Sequence, residues 1–200
     1  MSEVSNDTNE PPRRVVRLEA CDGAVEELPA EAAALSDLVK SMLDPDVPDD
    51  DEDEEEVSVI PVPNVEGAVL AEVARFCTHH FEEPLNPIEK PLTDPDIRKC
   101  TSQEWYATFV EDLWENQALF FEVLNAAHYM EIMPLQDIIG AFWAGKLKQM
   151  PPDEVEARYD VQLTEAERRQ LLQEYEATRR QGRLALGIVP SFPHGCLPAD

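Results

Sequence analysis

The sequence predicts an α+β fold in which a few short strands come first and helices fill the rest of the chain. Three observations indicate it. A valine-rich stretch from Arg14 to Leu28 contains Asp22-Gly23, a pair that readily adopts the positive φ angles of a two-residue hairpin turn. A further valine-rich run, Val57 to Pro63, ends in prolines, as is typical of a strand at a sheet edge. From Thr101 onward the apolar residues recur at helical spacing.

Two helices are predicted in the first half of the chain, each from one apolar helical stripe. The first helix follows Pro29, ends before Pro45 and has the apolar positions Leu35, Leu38, Val39 and Met42. The second helix ends at Cys77-Thr78-His79-His80 and has the apolar positions Val69, Leu70, Val73, Phe76 and Cys77. Asn64 lies just ahead of the second stripe, and we expect its side chain to cap that helix.

Loops and tails are predicted from charge and proline content. Asp49 to Glu56 is a run of eight acidic residues. Their carboxylates repel one another, and no apolar side chain is present to offset the entropy lost on ordering, so we expect an exposed loop. Four prolines from Pro84 to Pro95 exclude helix and central strand there. The predicted organisation is a disordered N-terminus (1–12), a core (13–150) with an acidic loop (44–56) and a proline-rich loop (81–100), a C-terminal helical extension (151–181) and an unassigned tail (182–200).

The second half of the chain is predicted to be helical throughout. Thr101 and Glu104 have the spacing of a capping box, Thr164 and Glu167 repeat it, and Pro151-Pro152 is expected to open a short helix. The broadest apolar stripe consists of Leu135, Ile138, Ile139, Phe142, Trp143 and Leu147. These large apolar residues present more surface than a small neighbouring core covers, so we expect part of the stripe to contact a partner.

The charge balance excludes several classes of partner. With 16 Lys and Arg against 42 Asp and Glu, the formal charge is -26 at pH 7. Surfaces that bind nucleic acid need clustered Lys and Arg, so we expect neither nucleic-acid nor membrane partners. The sequence shows no apolar leader and no run of 18 apolar residues, and we therefore expect an intracellular protein of the cytoplasm, the nucleus or both.

No motif favours catalytic or metal chemistry. Cys77, His79 and His80 are the best metal candidates, but positions i, i+2 and i+3 lie on different faces of a helix and no fourth ligand is near in sequence. Cys100 would need a histidine brought to it in space before it could act as a nucleophile. We expect a protein that is not an enzyme, needs no cofactor or metal, and binds other proteins through helices. A zinc-dependent protein that uses Cys77, His79 and His80 is the less favoured alternative.

Specific residues resemble a known family. Val62-Pro63-Asn64-Val65 followed by Phe76-Cys77-Thr78-His79-His80 closely resembles the signature of the Skp family (S-phase kinase-associated proteins), the adaptors of SCF ubiquitin ligases. The hairpin with Asp-Gly and the acidic loop ahead of the proline-rich strand come in the same order as in that family. Looser matches follow at Ala126–Ile132, Pro152–Val155 and Leu163–Glu165. The resemblance extends from about Val15 to Glu176.

This resemblance implies a fold and a set of partners. The fold is a BTB/POZ-like core, a small sheet packed with helices, extended by C-terminal helices. The implied function is a non-enzymatic adaptor that forms a heterodimer with an F-box protein and joins it to a cullin for ubiquitin-dependent protein degradation. By matched position, His128 and Tyr129 are expected to face the cullin. The residues expected to line the F-box groove are Leu135, Ile138, Phe142, Val155, Tyr159, Leu163, Leu171 and Tyr175.

The chain departs from the family pattern at several places. His128 stands where the family usually has Asn, and Gln136 where it usually has Leu. The family's last helix normally ends in an Asn-x-Trp cluster that holds the F-box, and Tyr175 and Ala177 occupy the aligned positions. Tyr175 is therefore our candidate to replace part of the missing tryptophan. An alternative function is an adaptor or stabiliser of F-box-like proteins in an assembly that is not a ligase.

Overall fold

The computed structural model describes residues 14–43 and 59–185 and, within the last helix, side chains as far as residue 180. The predicted disordered N-terminus (1–12) and acidic loop (44–56) lie outside the described residues, as does the predicted tail beyond residue 185. Within the described ranges the chain forms three strands and nine helices, which agrees with the predicted α+β class.

The strands form one mixed sheet. Its members are β1 (Val15–Ala20), β2 (Val25–Pro29) and β3 (Val59–Val62), in the order β2-β1-β3. The β1 and β2 strands are antiparallel, whereas β1 and β3 are parallel. The hairpin and the edge position of the proline-containing strand are therefore confirmed. Alternate residues of β1 are buried, so the sheet has one face toward the core.

The hairpin turn is one residue longer than predicted. The Ala20 amide donates to the Ala24 carbonyl at 2.8 Å, so the connection comprises the three residues Cys21 to Gly23. Gly23 has a φ of 83°. A three-residue hairpin loop needs a left-handed residue at its last position, and glycine adopts that conformation without steric cost. The glycine was identified correctly, but the two-residue turn was wrong.

The predicted helix after Pro29 is interrupted. It consists of α1 (Ala30–Ala33) and α2 (Asp37–Met42), with Ser36 between them. The Ser36 hydroxyl accepts the Val39 amide at 3.1 Å and donates to the Met130 carbonyl at 2.6 Å. The prediction of one continuous helix was therefore wrong. The buried Ser36 side chain caps a second helix, and its hydrogen bond to the distant Met130 carbonyl holds it there.

Helix α3 (Gly67–Glu82) carries the predicted apolar stripe, and all five of its stripe residues are buried. Asn64 does not cap it, since Glu66 occupies the N-cap position. The Gly67 amide instead donates to the Asp22 carboxylate of the hairpin turn at 3.1 Å. A Cβ at Gly67 would lie 2.5 Å from the Ala24 side chain, so this close approach requires glycine.

The remaining helices are α4 (Ile97–Cys100), α5 (Glu104–Glu115), α6 (Gln117–Tyr129), α7 (Met133–Lys148), α8 (Pro152–Tyr159) and α9 (Glu165–Ala185). The one-turn helix α4 lies inside the segment that was predicted to be only loop. The predicted capping box at Thr101 and Glu104 is not formed, because the Thr101 hydroxyl accepts the Gln103 amide instead. Among the described residues, no helix is both long and apolar enough to cross a membrane.

The chain divides into two compact units. The first comprises Met1–Ile88 and Thr101–Gly140, and its described part contains the sheet and a core that includes Phe76, Tyr106 and Phe109. The second comprises Glu89–Cys100 and Ala141–Asp200. Within the second unit a Cβ added to Gly145 would lie 2.3 Å from the Pro95 carbonyl oxygen, so the proline-rich segment approaches the helix backbone closely.

Candidate partner-binding surfaces

Helix α6 ends in a defined corner at the residues expected to face a cullin. The Ile132 amide donates to the Ala127 carbonyl at 2.9 Å, and the Glu131 amide donates to the His128 carbonyl at 3.2 Å. These two bonds form a Schellman motif, in which Glu131 takes the left-handed position with a φ of 55°. His128 is exposed and Tyr129 is partly exposed on the last turn before the corner.

Two side chains from other elements fix this corner. The Ser36 hydroxyl donates to the Met130 carbonyl, and the Gln136 side-chain amide donates to the Ala127 carbonyl at 3.2 Å. The carbonyls at the end of a helix have no partner within it, so such donors stabilise the local geometry. The corner therefore presents His128 and Tyr129 on a well hydrogen-bonded backbone.

The three F-box candidates on α7 are buried. Leu135 and Ile138 have no exposed surface, and Phe142 is 4% exposed. A partner reaches such side chains only after the groups that cover them have moved. Their contact with an F-box protein stays a prediction. The sequence alone does not show that these three side chains are buried.

The F-box candidates of the C-terminal extension differ in exposure. Val155 is buried, and the other four, Tyr159, Leu163, Leu171 and Tyr175, are partly exposed. The rings of Trp143 and Tyr159 meet edge to face with centroids 5.8 Å apart. Leu172 is exposed beside Leu171, and it is an apolar surface residue that the family pattern did not single out. Its apolar side chain next to Leu171 on a mostly polar helix is the sequence signal that could have identified it.

Polar contacts hold the start of α9. The Glu167 amide donates to the Thr164 hydroxyl oxygen at 3.3 Å, and the Thr164 amide donates to the Glu167 carboxylate at 2.8 Å, which confirms the predicted capping box. The Thr164 hydroxyl also donates to that carboxylate at 2.7 Å. These hydrogen bonds lower the pKa of Glu167. Arg168 forms ion pairs with Asp153 and Glu156 of α8. No α9 side chain from residue 165 to 180 is buried, so the helix depends on exposed or partly buried polar contacts, and exposed ion pairs contribute little stability each.

The metal candidates have separate structural partners. Burial raises the pKa of the Cys77 thiol to about 12, which disfavours the thiolate that binds metals. The His79 ring stacks on Trp105 with centroids 3.7 Å apart. The Leu85 amide donates to His80 Nδ1 at 3.2 Å, and burial, with a smaller effect of His79, lowers the pKa of His80. The described part of the chain contains no group of three or more His, Cys, Asp or Glu residues able to hold a metal ion.

Cys100 also lacks the surroundings of a nucleophile. Its thiol donates to the Asp94 carbonyl at 3.2 Å. Partial burial is the main cause that raises the pKa of this thiol, and nearby carboxylates add to it. A raised pKa lowers the fraction of reactive thiolate at neutral pH.

Comparison with known proteins assigns the fold to a family. The model of the family described as "Skp1 family, tetramerisation domain" matches residues 14–82. The chain is 30% identical over 146 residues to "S-phase kinase-associated protein 1 homolog" of Tetrahymena thermophila, covering 73% of this chain and 81% of that protein. It is 32% identical over 165 residues to "E3 ubiquitin ligase complex SCF subunit sconC" of Talaromyces marneffei, covering 80% and 94%. Against "Skp1-related protein" of Caenorhabditis elegans it is 27% identical over 148 residues, covering 74% and 81%.

The sheet, the helices and these matches define a protein with a POZ-type α+β core and C-terminal helices. The chain belongs to the Skp1 family. The resemblance drawn from Val62–Val65 and Phe76–His80 and the predicted fold class are therefore confirmed, whereas the individual partner-binding residues stay predictions.

Proposed function

We propose that this chain is a non-enzymatic adaptor that joins an F-box protein to a cullin in an SCF-type E3 ubiquitin ligase. The observation that carries the proposal is the 165-residue match to a protein named as an SCF subunit, which covers 94% of that relative. The match covers 80% of the 200 residues, more than the 150 residues that precede the C-terminal extension, so it includes part of that extension. The relationship therefore extends beyond the POZ-type core to the C-terminal extension.

The two partners are proposed to use different surfaces. The cullin would contact the α6 corner through His128 and Tyr129. The Tyr129 ring is partly exposed there, and the hydrogen bonds of the Schellman motif hold the backbone that carries it. The F-box protein would contact the second unit, where the α8 and α9 helices carry partly exposed apolar residues. The raised pKa values of the Cys77 and Cys100 thiols support a role without covalent catalysis.

The Tyr129→Lys variant tests the cullin surface. We expect it to abolish cullin binding, because a lysine in place of an interface aromatic leaves an unpaired charge at the contact. F-box binding should be unchanged. Affinities for a cullin and an F-box protein encoded in the same genome would be measured by titration calorimetry. Val25→Lys, at an exposed strand residue, is the matched control and should bind both. Loss of both partners by Tyr129→Lys would contradict the assignment.

Reconstitution separates the proposed function from its alternatives. With a cullin, an F-box protein and the ubiquitin-transfer enzymes, the chain should be required for modification of the F-box protein's substrate. An F-box complex that forms without any cullin binding would instead indicate an adaptor in a non-ligase assembly.

Zinc at one equivalent in the purified protein would favour the metal-dependent alternative. Imaging of the tagged protein tests the proposal that it lies in the cytoplasm, the nucleus or both.

A further inference from the structure

Met133 is an exposed apolar side chain at the start of α7. It is 58% exposed, more than any other large apolar residue of the described chain. A single exposed apolar residue is common on protein surfaces and needs no explanation by itself. Its position gives it significance, because α7 begins directly after the corner that ends α6 at Tyr129.

Gln136 links Met133 to that corner. The Gln136 Nε2 atom donates to the Ala127 carbonyl at 3.2 Å and lies 3.8 Å from the Met133 sulfur. The same carbonyl accepts the Ile132 amide of the Schellman motif. One glutamine side chain therefore contacts both the last turn of α6 and the methionine of α7. A leucine at position 136 could not donate this hydrogen bond.

We propose that Met133 is a direct contact for the cullin, in continuation of His128 and Tyr129, and that Gln136 is a residue that positions it. This inference rests on the function proposed above. Methionine adapts its unbranched side chain to irregular surfaces, and methionine and aromatic residues are enriched in the centres of interfaces. Tyr129 at the end of α6 and Met133 at the start of α7 supply one residue of each kind on either side of the corner.

The charges favour a different protein over a second copy of this chain. A formal charge of -26 makes two copies repel each other. Glu131 is exposed within the corner itself, between Tyr129 and Met133 in sequence. The surface thus fits a partner with an apolar contact for the methionine and a basic residue near the carboxylate.

The Met133→Ala variant tests the direct contact. Using the full-length chain and a cullin from the same genome, we expect about tenfold weaker cullin binding by calorimetry, as for an interface anchor. F-box affinity should change less than about twofold. Val59→Ala, at a 52% exposed residue of β3, is the matched control and should bind the cullin normally. Unchanged cullin affinity of Met133→Ala would overturn the inference.

The Gln136→Leu variant tests positioning through a double-mutant cycle. It should weaken cullin binding when Met133 is present but have no further effect in Met133→Ala. Equal losses in both backgrounds would mean that Gln136 acts independently of Met133, and would overturn the positioning role. If the wild-type chain forms dimers and Met133→Ala dissociates them, the choice of a cullin as the partner would be overturned. Failure of the wild-type chain to bind any cullin would overturn the proposed function itself, and this inference with it.

Discussion

Asp22 joins two elements through one exposed carboxylate. One oxygen accepts the Ala24 amide within the hairpin turn, and the other accepts the Gly67 amide at the start of α3, both at 3.1 Å. These backbone hydrogen bonds, first from Ala24 and then from Gly67, lower the pKa of Asp22. The ionised carboxylate therefore favours the folded state.

We expect Asp22→Asn to lower the melting temperature by a few degrees at pH 7, because an amide offers one acceptor oxygen in place of two. A carboxyl whose pKa is lower in the folded state stabilises the protein above its unfolded pKa of about 3.9. That stabilisation is lost as the pH falls through the folded pKa. The difference between wild type and variant should therefore shrink below about pH 4. Calorimetry across pH, with Glu19→Gln as control, would measure it, and a constant difference would contradict the linkage.

The role of Asp22 shows which residue-level features the sequence can predict. Gly23 was found from its pairing with Asp22, because turn chemistry is local. The cap of α3 was assigned to Asn64, the nearest suitable residue, whereas the real acceptor comes from a turn 45 residues earlier. Ser36 bonds Met130 across 94 residues. Contacts of this kind depend on the tertiary fold and carry no local signal.

Tyr175 is the residue proposed to replace part of the missing tryptophan. Its ring lies 5.6 Å from the Arg179 guanidinium carbon and is partly exposed. We expect Tyr175→Ala to weaken the F-box complex by about 1–3 kcal/mol, a typical loss for an interface aromatic. The melting temperature of the free chain should change little. Titration calorimetry measures this effect, with Gln173→Ala on the same helix as control. Unchanged affinity would show that this ring does not hold the partner.

At the scale of elements, periodicity identified α3 correctly but missed the break between α1 and α2, and one of the two predicted capping boxes formed. The α3 stripe was correct because its residues share one helical face. Two capping boxes had the same spacing, yet only Thr164 and Glu167 form one. The Thr101 hydroxyl bonds the Gln103 amide, so Gln103 becomes the N-cap of α5. Sequence spacing permits a cap, but competing local hydrogen bonds decide whether it forms.

The segment from Pro152 to Arg180 should be dynamic in the free chain. Over residues 165–180 no side chain of α9 is buried, and its ion pairs are exposed or only partly buried. We expect its amides to exchange rapidly in the free protein and slowly with an F-box protein bound, because binding buries its apolar side chains. Hydrogen exchange with mass spectrometry measures this. The well-buried α3 serves as internal control and should exchange slowly in both states. Strong protection of α9 without a partner would contradict the prediction.

For the whole molecule, the fold could be predicted more fully than the sites. The three strands and most helices follow from hydrophobic patterns, which act along short stretches of chain. The identity of the partners and the residues assigned to each came from the resemblance, whereas the broad apolar stripe of α7 indicated only that some partner contacts it. Burial of Leu135 and Ile138, and the contact of Gln136 with Ala127, could not be predicted, because both depend on how the first part of α7 packs within the first unit.

The acidic run at residues 49–56 is expected to affect stability through the charge of the whole chain. Eight of the 42 acidic residues lie there, in a chain whose formal charge is -26. We predict that deleting the run leaves the fold and F-box binding intact and slightly raises the melting temperature, because it reduces self-repulsion and shortens a loop. The gain should be larger at low ionic strength, where screening is weak. A variant with eight Ser and Gly residues in place of the run keeps the length and removes only the charge. If repulsion is the cause, both variants should melt higher in calorimetry, whereas a fall of more than a few degrees in either would show that the run stabilises the fold.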